Sequence, residues 1–417
     1  MVALIGGSAT AHAGQISVDD ALAAAEARNP AVAEAEARVA QASGRGITAA
    51  QWVPSRPELA LGVESDALFA RDGEGALDVG ISQELELFGQ RGLRIRVARE
   101  DRAARSFDVD DERRRLRAET QAAYYELMFQ ERRLALAADV AETATRLVES
   151  ARQRVGAGDL GEAELELLVG DLALARSDRR AAEGDAGVAR AALDRLIGEN
   201  DGAATATTGD FPALTASGDA GALAARAVDE RPDLAAAARD LATARAEVAL
   251  RRRERLPNLT VSIGYVYDRG VLGADDFSPP VIDRAFDADH LFTVGLSLPL
   301  PLFRSNAGEV AQARGRTAEA EARQAGIEAR IGEDVAAAVA RRDAARDRIG
   351  ELDEAATAVA TTLARYEKAW TEKHIDLAEY LAIRDRVLAV QVSALEARRD
   401  GAVADAELER AVGGDAR

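Results

Sequence analysis

The sequence predicts a mostly α fold with a small β part, built as two tandem structural repeats. Long antiparallel coiled-coil helices follow two pairs of strands. Three observations predict it. Residues 87–198 recur, without a gap, 215 positions later as residues 302–413. Each copy is preceded by two segments of alternating polarity. Each copy then opens with a run of about sixty residues that contains no proline. A period this long is a duplicated half-protein, not a solenoid repeat.

The repeat is read residue by residue. Leu87-Phe88 falls on Leu302-Phe303, and Leu116 on Ile331. Leu165, Leu168, Leu172 and Ala175 fall on Tyr380, Ile383, Val387 and Val390. Arg195-Leu196-Ile197-Gly198 falls on Arg410-Ala411-Val412-Gly413.

Composition agrees. Aromatic residues are 4% and charged residues 30%, the mix of long helices and not of ordinary globules. A net charge of −19 excludes a basic nucleic-acid-binding face. The absence of cysteine removes disulfides, thiolate metal sites, thiol catalysis and a lipidated N-terminal cysteine together. Residues 1–13 are small and apolar and end in Ala11-His12-Ala13, as the remnant of a secretory signal peptide does. No later stretch approaches the roughly 18 apolar residues of a membrane-spanning helix, so any spanning elements are strands.

In chain order, residues 16–51 form the first helical segment. Ser17 caps it, Asp19-Asp20 sit in its first turn, and Asn29-Pro30 interrupts it. Residues 221–255 are its counterpart, broken at Arg231-Pro232. Pro57 and Pro257 end these segments, and the period then changes to two. Leu59, Leu61 and Val63 alternate with Ala60, Gly62 and Glu64, and Leu77, Val79 and Ile81 with Asp78, Gly80, Ser82 and Glu84. In the second copy, Leu259 to Tyr267 and Phe292 to Leu298 alternate in the same way. The hairpins span about residues 58–87 and 258–301. The loop of the first is short; that of the second, residues 270–289, is long and acidic, as in outer-membrane barrels.

Long helices follow over residues 91–155 and 308–369, the first on the order of 95 Å at ~1.5 Å per residue. Gly315, Gly326, Gly332 and Gly350 weaken the second locally. Helices of this length must pack along their sides as coiled coils. Short turns at about 155–161 and 371–376 reverse the chain into return helices 162–197 and 377–412. The steps Leu165/Leu168/Leu172 and Tyr380/Ile383/Val387 make a coiled-coil seam. The second return helix carries another seam, Leu377, Leu381, Leu388 and Leu395, with Arg384 and Gln391 at intermediate steps. Two seams mean two helical neighbours, as in a wall. The repeats thus occupy residues 14–198 and 221–413, with a linker at 199–220 rich in Gly, Ala, Thr and Asp, and a tail at 414–417.

Four strands cannot close a barrel, since the smallest have about eight. An open sheet in lipid leaves edges of unpaired N–H and C=O groups at several kcal/mol each. The strands therefore call for an oligomer sharing one barrel. Glu84, Thr260, Ser262, Thr293 and Ser297 would face its lumen, and Ile263, Tyr265, Val294 and Leu296 would meet lipid.

With the duplication, the Pro-x-Leu motifs Pro57-Glu58-Leu59 and Pro257-Asn258-Leu259, and the turn VGAGDL at Val155 to Leu160, the chain resembles the TolC-like outer-membrane efflux protein family over nearly its whole length. The resemblance implies a homotrimer whose chains supply a 12-stranded barrel in the outer membrane and a periplasmic α-barrel closed at its tip. It implies two partners, a periplasmic adaptor (a membrane fusion protein) and an inner-membrane transporter. The stretch ISQELELFGQRGLRI, beginning at Ile81, resembles the heavy-metal (cobalt–zinc–cadmium) branch, whose transporters are of the resistance–nodulation–division type. Two departures stand out: Lys373-His374 replaces a glycine-containing turn at the second tip, and there is no lipobox cysteine.

The resemblance also assigns residues. Val155, Gly156, Gly158, Leu160, Trp370 and Ile375 at the tips are expected to dock the adaptor. Asp376, Glu379, Arg384 and Asp385 are expected to guard the periplasmic aperture. The alternative for the first set is turn formation and bundle capping; for the second it is a solvated helix face. His12, His290 and His374 are scattered, so no metal site is expected, and His374 with Asp376 and Glu379 is an exposed turn. No catalytic or cofactor-binding residues are expected either: there is no nucleophile elbow, P-loop, H-E-x-x-H or dinucleotide fingerprint. An exit duct for a type I protein secretion system fits the same architecture, and a soluble periplasmic coiled-coil scaffold is the reading from another class.

Overall fold

The computed structural model describes residues 14–66, 74–198, 205–271, 286–300, 306–372 and 374–414. The signal remnant, Leu302-Phe303, Lys373, the end of the tail and most of both hairpin loops lie outside these residues. The element order is β1 (Gln15–Ile16), α1 (Val18–Arg28), α2 (Pro30–Ala49), β2 (Glu58–Ser65), β3 (Gly75–Leu85), α3 (Gln90–Gly156) and α4 (Glu162–Ile197), then β4 (Ala206–Thr207), α5 (Ala220–Glu230), α6 (Pro232–Arg253), β5 (Leu259–Val271), β6 (Phe286–Ser297), α7 (Ala307–Thr371) and α8 (Leu377–Val412). Among the described residues, no helix is long and apolar enough to cross a membrane.

The local signals act where the sequence places them. Ser17 caps α1, accepting from the Asp20 amide at 3.2 Å. The chain is extended at Asn29 and Arg231, the residues before Pro30 and Pro232, because proline disfavours the helical region for its predecessor. The return helices fall on the expected 162–197 and 377–412. The glycines of α7 do not interrupt it: it runs unbroken for 65 residues. A Gly in a long packed helix costs only about 1 kcal/mol, too little to break a helix held along its side. Ile16 differs from expectation, lying in a strand ahead of the helix.

The chain forms two compact units. In the first, residues 1–37, 107–235 and 326–417, the duplication reappears as two equivalent cores. One gathers Ala21, Ala25, Val32, Leu116, Leu193 and Ile197; the other gathers Leu223, Ala227, Leu234, Ile331, Leu408 and Val412 at the corresponding positions. A glycine joint closes each. Gly198 caps α4 at φ +69, and a Cβ there would meet the Arg28 Cβ at 3.0 Å. Gly413 caps α8 at φ +106, and a Cβ there would meet the Arg231 amide nitrogen and the Glu230 carbonyl carbon at 3.0 Å. Asn29 Nδ2 donates to the Leu196 carbonyl at 3.0 Å and fixes the first joint.

The linker is docked rather than loose over its described part. β4 pairs in parallel with β1. Tyr124 Oη donates to the carbonyls of Thr208, at 2.5 Å, and Ile16, and burial pushes its pKa up. Arg342 holds the Thr215 carbonyl at 2.7 Å while pairing with buried Asp405 at 2.6 Å. Backbone groups that leave regular structure here still need partners, and these side chains supply them.

The second unit, residues 38–106 and 236–325, contains a four-stranded antiparallel sheet in the order β2-β3-β5-β6. β2 and β6 are its edges.

Candidate functional sites at the helix turns and on the sheet

At the first tip, α3 ends in a Schellman motif: the Asp159 amide donates to the Arg154 carbonyl at 2.8 Å and the Gly158 amide to Val155 at 2.9 Å. Gly158 takes φ +78, the left-handed value this motif requires and glycine adopts without strain. At the second tip, the His374 amide donates to the Ala369 carbonyl at 2.8 Å. These residues correspond to Asp159 and Arg154, so the departure in sequence keeps the same long-range turn bond. Asp376 caps α8, accepting from the Glu379 amide at 2.7 Å.

Four helices meet at these turns around one core. It contains Ala144, Leu147, Val148 and Ala151 of α3, Leu168 and Leu172 of α4, Trp370 of α7, and Leu377 and Tyr380 of α8. Trp370 stacks on Tyr380 with ring centroids 5.7 Å apart, and the Arg154 guanidinium lies 5.4 Å from the Trp370 ring centroid. Burial pushes the Tyr380 phenol up to about 12.

Of the expected docking residues, Gly156 and Gly158 are exposed, and Val155, Leu160 and Ile375 are half-buried. Leu160 and Ile375 pack against the core. Trp370 differs: it is 5% exposed and belongs to the core, because the tight turn folds its ring inward onto Tyr380.

Of the expected aperture residues, Glu379 and Asp385 are exposed, and Asp376 is held as a cap. Arg384 is buried and donates to both carboxylate oxygens of Asp171 on α4, at 2.6 and 2.7 Å. It also reaches Asp385 at 2.8 Å. The hydrogen bonds to Asp171 are the main reason its pKa is raised. Asp171 was not among the expected residues. The signal was an arginine in an apolar seam, which demands a carboxylate on the facing helix, and Asp171 sits between the seam residues Leu168 and Leu172.

On the sheet, register sorts the two faces. Leu59, Ile81, Ile263 and Val294 form one row across all four strands, and Leu61, Val79, Tyr265 and Phe292 the next. Much of this face is bare: Phe292 is 80% exposed, Val294 75% and Val63, in the row beyond, 77%, while Val79 and Tyr265 on the central strands are half-buried. Glu84, Thr260 and Ser297 share a row on the opposite face, and Ser262 and Thr293 lie on that face too. It also carries Glu58, Glu64, Asp78, Asp268 and Asp289, and among its described side chains no arginine or lysine. Glycines keep it low: a Cβ on Gly295 would fall 2.5 Å from Ser262 Oγ.

Among the described residues, no group of three or more His, Asp or Glu side chains is placed to hold a metal ion.

Comparison with known proteins gives the family. The chain is 26% identical over 299 residues to the cobalt-zinc-cadmium resistance protein CzcC of Cupriavidus metallidurans, covering 72% of this chain and 66% of that protein. Its fold superposes on crystal structures of CusC (TM-score 0.73, 18% identity, 95% of this chain and 92% of that one) and of VceC from Vibrio cholerae (0.73, 18%, 96% and 97%). It also superposes on the open state of the MtrE outer membrane channel of Neisseria gonorrhoeae (0.71, 19%, 96% and 90%). The outer membrane efflux protein family matches residues 21–199 and 223–414, one segment for each repeat. The chain therefore belongs to the outer membrane efflux protein family, and it is an outer-membrane protein.

Proposed function

We propose that the protein is the passive, trimeric exit duct of a tripartite efflux pump, and that its cargo is divalent transition-metal cations. The observation that carries the duct is the four-stranded sheet: one face apolar and largely bare, the other polar, with both edge strands unpaired in the chain. Such a sheet is stable in lipid only when copies pair edge to edge into a closed barrel. Three copies give about twelve strands, within the range of known barrels. The helices support the same reading. On α4, Leu167 is 63% exposed, Leu174 67% and Val188 73%. With exposed Ala181 they recur every seven residues on a face turned away from the chain's own core, where a neighbouring helix can pack.

The metal cargo is supported by the relative CzcC, a cobalt-zinc-cadmium resistance protein, and by a polar sheet face that, among its described residues, carries carboxylates and no basic side chain. An exit duct needs no tight metal site; a negative lining lowers the barrier to cations. Docking of a periplasmic adaptor at the exposed tip residues Gly156 and Gly158, and coupling to a resistance–nodulation–division transporter that supplies the energy, complete the pump.

The test is a gene deletion scored for growth on cobalt, zinc and cadmium salts and, separately, on hydrophobic drugs. Sensitivity to the metals alone is expected, restored by the wild-type gene. Unchanged metal tolerance with new drug sensitivity overturns the cargo. A chain recovered from the outer membrane only as a monomer overturns the duct.

A further inference from the structure

At the helical end of the sheet, α6 closes on Arg251, Arg252 and Arg253, and Arg255 follows in the turn before β5. Arg251 is paired with Glu254 at 2.8 Å. Arg252, Arg253 and Arg255 are exposed and have no ion-pair partner among the described residues. With Leu93, Ala249 and Leu256 they line an open cavity of about 600 Å³. Leu93 lies in the first turn of α3, which follows β3, and Leu256 lies just before β5; the two strands pair through Leu85 and Leu259. The cavity therefore lies where the chain approaches the foot of the two central strands. Trp52 stands as far before Pro57 as Arg252 stands before Pro257. It is 79% exposed, with the Arg91 guanidinium 4.5 Å from its ring centroid. The two repeats thus enter the sheet past an exposed aromatic and an exposed basic group, the pair that anchors proteins at membrane interfaces.

We propose that Arg252, Arg253 and Arg255 bind the phosphate of an anionic phospholipid in the periplasmic leaflet of the outer membrane, with Leu93, Ala249 and Leu256 against the root of its acyl chains. The inference rests on the membrane placement of the strands. Guanidinium groups match phosphate oxygens bidentately and are more weakly hydrated than ammonium groups. The C-terminal end of α6 favours cationic side chains at this place. On a chain of net charge −19, anions are repelled in general, so a local cluster of unpaired arginines marks where one is accepted. The half-apolar lining selects a lipid over free phosphate.

The experiment uses the full-length protein mixed with liposomes of phosphatidylcholine, with and without phosphatidylglycerol. Flotation reads insertion, and native mass spectrometry reads lipid retained after extraction. Wild-type protein should float in both mixtures and retain phosphatidylglycerol in a salt-sensitive way. The variant R252Q/R253Q/R255Q should still float and lose retained phosphatidylglycerol by roughly tenfold or more. If that variant fails to fold, R252K/R253K/R255K and a salt titration of the wild type read the same interaction. Equal retention by wild type and variant, or retention indifferent to salt, overturns the proposal. So does displacement of the lipid by inorganic phosphate at equal affinity. Failure of the wild type to float in either mixture overturns the membrane placement instead.

Discussion

Arg384 on α8 holds Asp171 on α4 with both terminal guanidinium nitrogens, at 2.6 and 2.7 Å, and ties the return helix of one repeat to that of the other. The two side chains are only 9% and 15% exposed. Removing Arg384 strands the Asp171 charge in a poorly solvated place, which costs about 3–5 kcal/mol in a fully buried pair; the residual exposure here puts the value toward the lower end, and removing Asp171 costs less because Arg384 keeps Asp385 at 2.8 Å. Both Asp171→Ala and Arg384→Leu should loosen the turn region and raise the basal conductance of the reconstituted channel in planar bilayers. The double variant should be no worse than either single one, because the pair acts as a unit. Additive effects would mean that the two residues act separately. Asp376→Ala should cost only about 1 kcal/mol, as loss of a helix cap does.

The glycine joints give a graded prediction. Gly158, Gly198 and Gly413 all have positive φ, at +78, +69 and +106. A Cβ on Gly158 meets nothing within 4 Å, whereas one on Gly198 or Gly413 meets a neighbouring segment at 3.0 Å. Gly158→Ala should therefore show only the left-handed backbone penalty, about 1–2 kcal/mol. Gly198→Ala and Gly413→Ala add a collision that at Gly413 involves backbone, which cannot rotate aside. Thermal unfolding should place both below Gly158→Ala. Equal shifts for all three would remove the role assigned to close packing at the joints.

Much of this was legible because the duplication repeats each signal. Pro30 and Pro232 mark the same kink, Pro57 and Pro257 the same change of period, and Gly198 and Gly413 the same cap. What the sequence could not place were partners across helices. Arg384 stood out in an apolar seam, but only the packing of α8 on α4 identifies Asp171. Trp370 looked like a docking residue because it adjoins a turn; its burial depends on the angle at which that turn returns Tyr380 to α7. The linker read only as a connection, because Gly, Ala, Thr and Asp there carry no periodicity. Its order comes from distant side chains, Tyr124 and Arg342, which no local pattern announces.

The two faces of the sheet should respond in opposite ways to the same charge. Val294 and Thr293 are neighbours in sequence on opposite faces. In the proposed barrel Val294→Arg would place a cation against hydrocarbon, which costs about 2–4 kcal/mol at the bilayer midplane. It should deplete the proposed trimer, to be read as a heat-modifiable oligomer on electrophoresis of outer-membrane fractions. Thr293→Arg should leave that oligomer intact and shift the reversal potential in a salt gradient toward anions, since it adds positive charge to a face lined by Glu58, Asp78 and Glu84. Loss of the oligomer in both variants would contradict the assignment of faces.

The turn region should also have an alkaline limit set by Tyr380. Burial raises its phenol from 10.0 to about 12, so the folded protein favours the neutral form. The sign follows directly. Below pH ~10 the phenol is neutral whether the chain is folded or unfolded, and its contribution is fully present. Between pH ~10 and ~12 the unfolded chain ionises and the folded one does not, so stability falls, by about 2–3 kcal/mol in all. Trp370 stacks on this ring, and in a Trp52→Phe background its fluorescence reports the core alone. The emission should shift over this interval as the stack opens. Tyr380→Phe keeps the ring and removes the ionisation, so its emission should stay constant across the same interval. The same alkaline transition in Tyr380→Phe would trace the pH limit to another group.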